Sequence, residues 1–258
     1  LQAPTVIVND APHFTEMVLV ELYDKYGEER VARSGFQVTT TLDLTLQRAA
    51  LASIASQKTY IERMGGSNTG VIAVDPKTGE IRALVGSVDY SNEEWGKVNM
   101  ATAKRQPGST FKPIYYAAAL ADGVITPATI IRDEPINIGG WQPQNATRRY
   151  YGNVTVRQAL ARSLNIPSIK IMQDYGVEKS IEAAKSLGIT SLDKDPSEYG
   201  LSIAIGSAEV PLQQMTNAYA AFADGGNVRK NTSIQEIKDK LKSSIYKHAS
   251  TAKRGISE

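Results

Sequence analysis

Ser109 and Lys112 stand three residues apart in Gln106-Pro107-Gly108-Ser109-Thr110-Phe111-Lys112-Pro113. In what reads as the first turn of a helix, residues i and i+3 share one face, so the lysine amine can reach the serine hydroxyl. A hydroxyl beside an amine is a minimal apparatus for an activated acyl-transfer nucleophile that uses neither histidine nor cysteine. The chain offers little else for that task. It has no cysteine, which removes thiol catalysis, disulfides and thiolate metal sites together. Its two histidines are His13, in a Pro-flanked stretch, and His248, in a basic, polar tail, and both are expected at the surface. Neither a His-based triad nor a His-ligated metal site is expected. Lysine or a carboxylate must then serve as the base.

The spacing alone is weak, because Ser191/Lys194, Ser244/Lys247 and Ser250/Lys253 repeat it. Context separates the four pairs. Pro107-Gly108 lets the backbone turn sharply ahead of Ser109. Pro113 is tolerated only near a helix start, where its missing N–H has no partner to lose. The helix must begin close to Ser109, which puts free backbone N–H groups and the positive dipole end around the nucleophile. A free amine, with a pKa of about 10.4, is almost wholly protonated at neutral pH. Burial and a first-turn position both disfavour that charge and bring the base nearer neutrality. By themselves these residues fit either a catalytic pair or an ordinary helix start.

A second group is Arg162-Ser163-Leu164-Asn165-Ile166-Pro167, which carries the only Ser-x-Asn of the chain, at a helix-to-helix corner. A hydroxyl and a carboxamide on such a corner could face the Ser109 pocket across a cleft. The hydroxyl would relay protons and the amide would bind a peptide backbone. In the plainer reading Ser163 ends one helix and Asn165 caps the next.

The rest of the chain has to position these groups. Its 258 residues, 41% hydrophobic, suffice for one large domain or two small ones. A formal net charge of +2, from nearly balanced acids and bases, gives no sign of nucleic-acid binding. No apolar run is long enough for a transmembrane helix. The start, Leu1-Gln2-Ala3-Pro4, lacks Met and a signal-peptide pattern. It reads as a cut from a longer protein, with any anchor upstream.

Periodicity predicts an amphipathic helix over about Phe14 to Tyr26 and a strand within Gly35 to Leu42. Asp43 is the expected cap of a helix over about Leu44 to Met64. Two apolar strands, Thr69 to Asp75 and Glu80 to Gly86, flank a Pro76-Lys77-Thr78-Gly79 turn as a β-hairpin. A polar, mobile stretch then runs to about Lys104, followed by the Ser109 helix, which ends near Gly123. Residues 124–153 read as mostly irregular. Helices are expected over Thr155 to Leu164, Ile166 to Tyr175, Val177 to Leu187 and Leu212 to Ala223. The segment Ser233 to His248 fits two short strands or a helix.

Ser-x-x-Lys followed by Ser-x-Asn resembles the penicillin-binding proteins and serine β-lactamases. Further strings resemble the bifunctional, class A penicillin-binding proteins. They are Thr40-Thr41-Leu42-Asp43-Leu44-Thr45-Leu46-Gln47, Asp75-Pro76-Lys77-Thr78-Gly79-Glu80-Ile81, Gln106 to Pro113, Ala159 to Pro167, and Ala218-Tyr219-Ala220-Ala221-Phe222-Ala223. The likeness runs in order from about residue 14 onward. It implies an α+β fold, with an antiparallel sheet flanked by helices plus a helical subdomain and the site at their junction. The implied activity is that of a peptidoglycan DD-transpeptidase working through an acyl-serine intermediate. Ser109 would be the nucleophile, Lys112 its base, Ser163 the proton donor to the leaving group, and Asn165 the residue binding the substrate backbone. No metal or organic cofactor is implied. The implied partners are stem peptides ending in D-Ala-D-Ala, and β-lactams, which would acylate the same serine. Residues 1–35 would link to an N-terminal glycosyltransferase domain and a membrane anchor. Residues 36–258 would form the N-terminal portion of the transpeptidase domain, on the extracytoplasmic face of a bacterial membrane. Alternatives are a DD-carboxypeptidase, a serine β-lactamase, or a non-catalytic β-lactam-sensing module.

The family's third motif, Lys-Thr/Ser-Gly, follows Ser-x-Asn. The Lys77-Thr78-Gly79 of this chain precedes the nucleophile and reads as a hairpin turn, so it is set aside. By resemblance the third motif and the remaining strands of the sheet belong beyond Glu258. Its strand would supply one of two oxyanion N–H donors, and losing one such donor costs about 10²–10³ in rate. The 258-residue polypeptide alone is therefore expected to be unstable or inactive. Fluorescent-penicillin labelling of that polypeptide should be far slower than labelling of a full domain, and equal rates would overturn the expectation.

Overall fold

A computed structural model describes residues 9–257, so the Leu1-to-Pro4 start lies outside the described residues. The first elements are helices α1 (Pro12–Tyr26) and α2 (Glu28–Ser34), strand β1 (Gln37–Thr40), helix α3 (Leu44–Arg63) and strands β2 (Val71–Val74) and β3 (Ile81–Val85). There follow β4 (Lys104–Arg105), α4 (Lys112–Ala121), β5 (Ile130–Asp133), β6 (Gly152–Thr155), α5 (Val156–Ala161), α6 (Asn165–Tyr175) and α7 (Val177–Ser186). The chain continues through β7 (Val210–Pro211), α8 (Leu212–Ala223), β8 (Asn227–Arg229), β9 (Ile234–Lys238), β10 (Ser244–Lys247) and β11 (Ala252–Arg254). It divides into two compact units, residues 1–103 with 229–251, and residues 104–228 with 252–258. Helices and antiparallel strand pairs together make the α+β class expected from the sequence.

In the first unit β9 lies between β1 and β10, antiparallel to both, and β2 pairs with β3 as the expected hairpin. A parallel bridge from Glu80 to Thr232 and the bond from Ile81 N–H to Thr232 O connect the hairpin to the start of β9. One face of α1 supplies Phe14, Val18 and Leu22, which are buried with Ile81, Leu84, Ile234 and Ile237. The Thr40-to-Gln47 string explains itself here. Thr41 Oγ1 donates to Ile81 O at 2.6 Å. Asp43 caps α3 by accepting from Thr45 N–H and Leu46 N–H. Buried Gln47 bonds both polar groups of Leu84, as a neighbouring strand would. Lys77-Thr78-Gly79 lies in the β2–β3 turn, where Asp75 Oδ1 accepts from Lys77 N–H and Gly79 has a φ of +78°.

Several expectations are corrected. His13 is not at the surface: it is buried in the first turn of α1, edge-on to Tyr90, with ring centroids 4.9 Å apart. A Cβ on Gly86 would come within 2.6 Å of its ring, which is why the imidazole fits there. Helix α2 was not anticipated; it starts after Gly27, and its first turn carries Glu28 and Glu29. The stretch before Lys104 is a run of turns in which Ser87 Oγ donates to Gly96 O, and Asn92 Oδ1 accepts from Glu94 and Trp95 N–H. Of the two alternatives expected for residues 233–248, the two short strands are the ones formed, as β9 and β10.

In the second unit α4, α6 and α7 enclose a core of Phe111, Ile114, Tyr115, Ile169, Met172, Ile181 and Leu187. Residues 124–153 are less irregular than expected, because β5 pairs antiparallel with β6, from Ile130 opposite Thr155 to Asp133 opposite Gly152. A polar Gly-Asn-Val-Thr strand lacks the apolar alternation that marks strands locally.

Candidate active site

The nucleophile candidate sits in a single 3₁₀ turn, Gly108–Phe111, and the α-helix proper begins at Lys112 with Pro113 at its second position. A 3₁₀ turn has three residues, so side chains at i and i+3 eclipse. Ser109 is exposed above Lys112, which is only 1% exposed. The turn is gripped closely. Gly108 N–H donates to Gly206 O at 3.2 Å, and a Cβ on Gly206 would lie 2.1 Å from Gly108 O. Gly206 also has a φ of +74°, so glycine is needed there on both counts. Strand β4 pairs with β7 just ahead of the turn, and Tyr219 Oη donates to Thr110 O at 2.9 Å. Sequence reasoning quoted Tyr219 only within a string and missed Gly206, since backbone contact between distant residues leaves no local pattern.

The Ser163 corner is built by helix ends. Thr155 closes β6 and caps α5 in a capping box with Gln158. At the other end Ser163 N–H donates to Leu160 O, and Leu164 N–H to Ala159 O. That is the Schellman pattern, with its usual apolar contact between Leu164 and Ala159. Glycine is the usual residue at the left-handed position, yet this chain has Ser163 there, with a φ of +53°. A serine in this conformation stores strain of order 1–2 kcal/mol.

Lys112 reaches this corner. Its Nζ donates to Ser163 O at 2.8 Å, Asn165 Oδ1 at 2.9 Å, Ser163 Oγ at 3.2 Å and Leu164 O at 3.3 Å. Among the described residues, the oxygens within hydrogen-bond distance of Nζ all belong to the corner, and Ser109 is not one of them. The structure thus brings Lys112, Ser163 and Asn165 together, and places Ser109 in the turn that leads into Lys112. Burial lowers the Lys112 pKa from 10.5 to about 8. Four oxygen acceptors favour the ammonium against that pull, so both protonation states are within reach. Asn165 does not cap α6 with its own side chain, as the plainer reading had it. It is the first residue of α6, and its N–H is taken by Asn145 Oδ1 at 2.8 Å.

Behind the lysine, a chain of hydroxyls ties α4 to α6. Tyr116 Oη lies 2.8 Å from Ser168 Oγ, which donates to Leu164 O at 2.6 Å. Tyr115 Oη donates to Ser168 O and Ala204 O. Burial pushes the Tyr116 pKa up to about 12 and raises that of Tyr115 well above the ordinary phenol value, so both phenols stay protonated as donors.

Residues 69–258 match the family model of the penicillin binding protein transpeptidase domain. The chain is 34% identical to penicillin-binding protein 2D of Bacillus subtilis (strain 168), over 96% of this chain and 36% of that protein. It is 31% identical to penicillin-binding protein 1C of Escherichia coli (strain K12), over 88% of this chain and 28% of that protein. The chain thus spans roughly a third of these relatives' length. A solved structure of PonA1 from Mycobacterium tuberculosis in complex with penicillin V aligns with a TM-score of 0.81 at 23% identity, covering 95% of this chain and 66% of that one. The chain therefore belongs to the penicillin-binding protein transpeptidase domain family, and the class A resemblance of its strings is borne out.

Two outcomes follow. With Lys112 as the base, the expectation from the sequence, acylation by penicillin should speed up as pH rises through about 8 and level off above, because only a neutral amine can take a proton. A stopped-flow profile that is flat from about pH 6 to about pH 9 would contradict this assignment. Ser163→Gly and Ser163→Ala both lose the hydroxyl, but only glycine relieves the strain. Urea unfolding should show the glycine variant more stable than the alanine variant by about 1 kcal/mol.

Proposed function

We propose that this chain carries the acyl-transfer half of a peptidoglycan DD-transpeptidase, with Ser109 as nucleophile. The observation that carries the reading is a buried, partly deprotonatable lysine held between an exposed serine turn and a Ser-x-Asn corner. Stem peptides ending in D-Ala-D-Ala are the substrate class. Lys112, as the neutral amine, accepts the Ser109 proton while Oγ bonds to the penultimate D-Ala carbonyl carbon. The tetrahedral oxyanion collapses, and the C–N bond to the terminal D-Ala breaks. The leaving nitrogen takes a proton through Ser163 Oγ from the Lys112 ammonium, 3.2 Å away. The amine of a second stem peptide then attacks the ester carbonyl and gives up a proton to Lys112; as the acyl C–Oγ bond breaks, Lys112 passes that proton to Ser109 Oγ and the cross-linked peptide leaves. Asn165 supplies the amide that holds the donor backbone. β-Lactams enter as strained mimics of the same amide and acylate Ser109.

Such chemistry belongs where peptidoglycan is, on the extracytoplasmic face of the cell membrane. No helix among the described residues is long and apolar enough to cross a membrane. In this reading residues 1–35 connect to a glycosyltransferase domain and an anchor, and a Lys-Thr/Ser-Gly strand completes the oxyanion site. Cross-linking by the full-length protein should vanish on Ser109→Ala, and the wild-type penicilloyl enzyme should persist well beyond minutes. Unchanged cross-linking would sink the enzymatic reading, and turnover of the penicilloyl enzyme within minutes would point instead to a β-lactamase.

A further inference from the structure

We propose that Asp133 and Asn145 are positioning residues for the Ser163-to-Asn165 corner, with Asn145 setting how Asn165 meets the substrate backbone. The inference rests on the reading of Asn165 as the substrate-binding amide.

A helix leaves its first N–H groups without partners, and an N-cap side chain usually takes one. Here the N-cap of α6 is Leu164, which has no acceptor in its side chain. The acceptor comes from elsewhere in the fold. Asn145 Oδ1 takes Asn165 N–H at 2.8 Å and Ile166 N–H at 3.3 Å. The next residue back holds the Asn165 side chain, because Nδ2 donates to Gln144 O at 2.8 Å. Its Oδ1 faces Lys112 Nζ at 2.9 Å. The second Nδ2 proton is left for a substrate carbonyl.

What orients Asn145 is Asp133. A carboxamide can present its oxygen or its nitrogen on either side, and its neighbours decide which. Asn145 Nδ2 sits 2.9 Å from both carboxylate oxygens of Asp133 and 2.9 Å from Arg149 O. Three acceptors on that side require the amide nitrogen there, which turns Oδ1 toward α6. Asp133 is itself fixed, since its Oδ2 also takes Tyr151 N–H at 3.0 Å. Asp133 is 1% exposed and Asn145 2%. Buried polar groups at this depth are costly unless every hydrogen bond is made, so the pair has one arrangement. Neither residue reaches the reacting atoms; both act through Asn165.

The test is penicillin acylation by the full-length protein, read as the second-order rate constant, with urea unfolding alongside. Asn145→Asp keeps the shape and one acceptor but sets a carboxylate against Asp133. It should slow acylation by about 10- to 100-fold, the cost of a misplaced group near the chemistry. Asp133→Asn combined with Asn145→Asp restores a donor–acceptor pair between the two side chains but leaves Arg149 O facing a carboxylate oxygen, so it should recover part of the loss, acylating at least about threefold faster than Asn145→Asp. Recovery of the rate separates positioning from a general loss of stability. Wild-type rates in Asn145→Asp, or a paired variant as slow as the single one, would overturn the proposal. Asn165→Ala is the control. If it is slow while Asn145→Asp is normal, only the positioning role fails. If Asn165→Ala acylates normally, the reading of Asn165 fails, and this inference falls with it.

Discussion

Burying an amine without partners is costly, and the second unit of this protein is arranged around meeting that cost at Lys112. Four oxygens surround Nζ, two of them backbone carbonyls of Ser163 and Leu164. Backbone oxygens can converge on one point only if the chain turns sharply. The turn is the left-handed Ser163 between α5 and α6. Its strain is held by the Schellman bonds on one side and by the Asn145 cap on the other. The lysine needs the corner to be buried, and the corner needs the lysine to occupy its carbonyls.

The same constraint explains the serine at a glycine position. Glycine would relax the backbone but would bring no hydroxyl to Nζ. The fold accepts local strain and keeps a hydroxyl 3.2 Å from the buried amine of Lys112. The Ser109 turn is held in a comparable way. Gly108 and Gly206 meet backbone to backbone, so no side chain separates the turn from its support. Rigid supports on both sides suit chemistry that depends on held geometry rather than on recruited groups.

In the first unit the interactions serve shape rather than chemistry. Gln47 takes the place of a strand beside Leu84, and Thr41 ties the end of β1 to β3. His13, expected at the surface, fills the space that Gly86 leaves open. Burial lowers its pKa, which keeps the ring neutral and compatible with a buried site.

Much of this was legible in the residues alone. The Pro-Gly before Ser109 and the Pro113 after Lys112 confined the helix start to one turn, because proline has no N–H to lose there. The Asp43 cap, the β2–β3 hairpin and the long helices follow local rules of capping, turn chemistry and periodicity, which act over a few residues. Tertiary structure decided the rest, because long-range hydrogen bonds leave no trace in local sequence. It set Nζ against the oxygens of the Ser163-to-Asn165 corner. It gave the cap of α6 to Asn145 rather than to Asn165, and paired β5 with the distant β6 so that Asp133 could orient that asparagine. The chemistry-bearing residue types could be read in order along the chain; their orientation depends on partners that only folding brings within 3 Å.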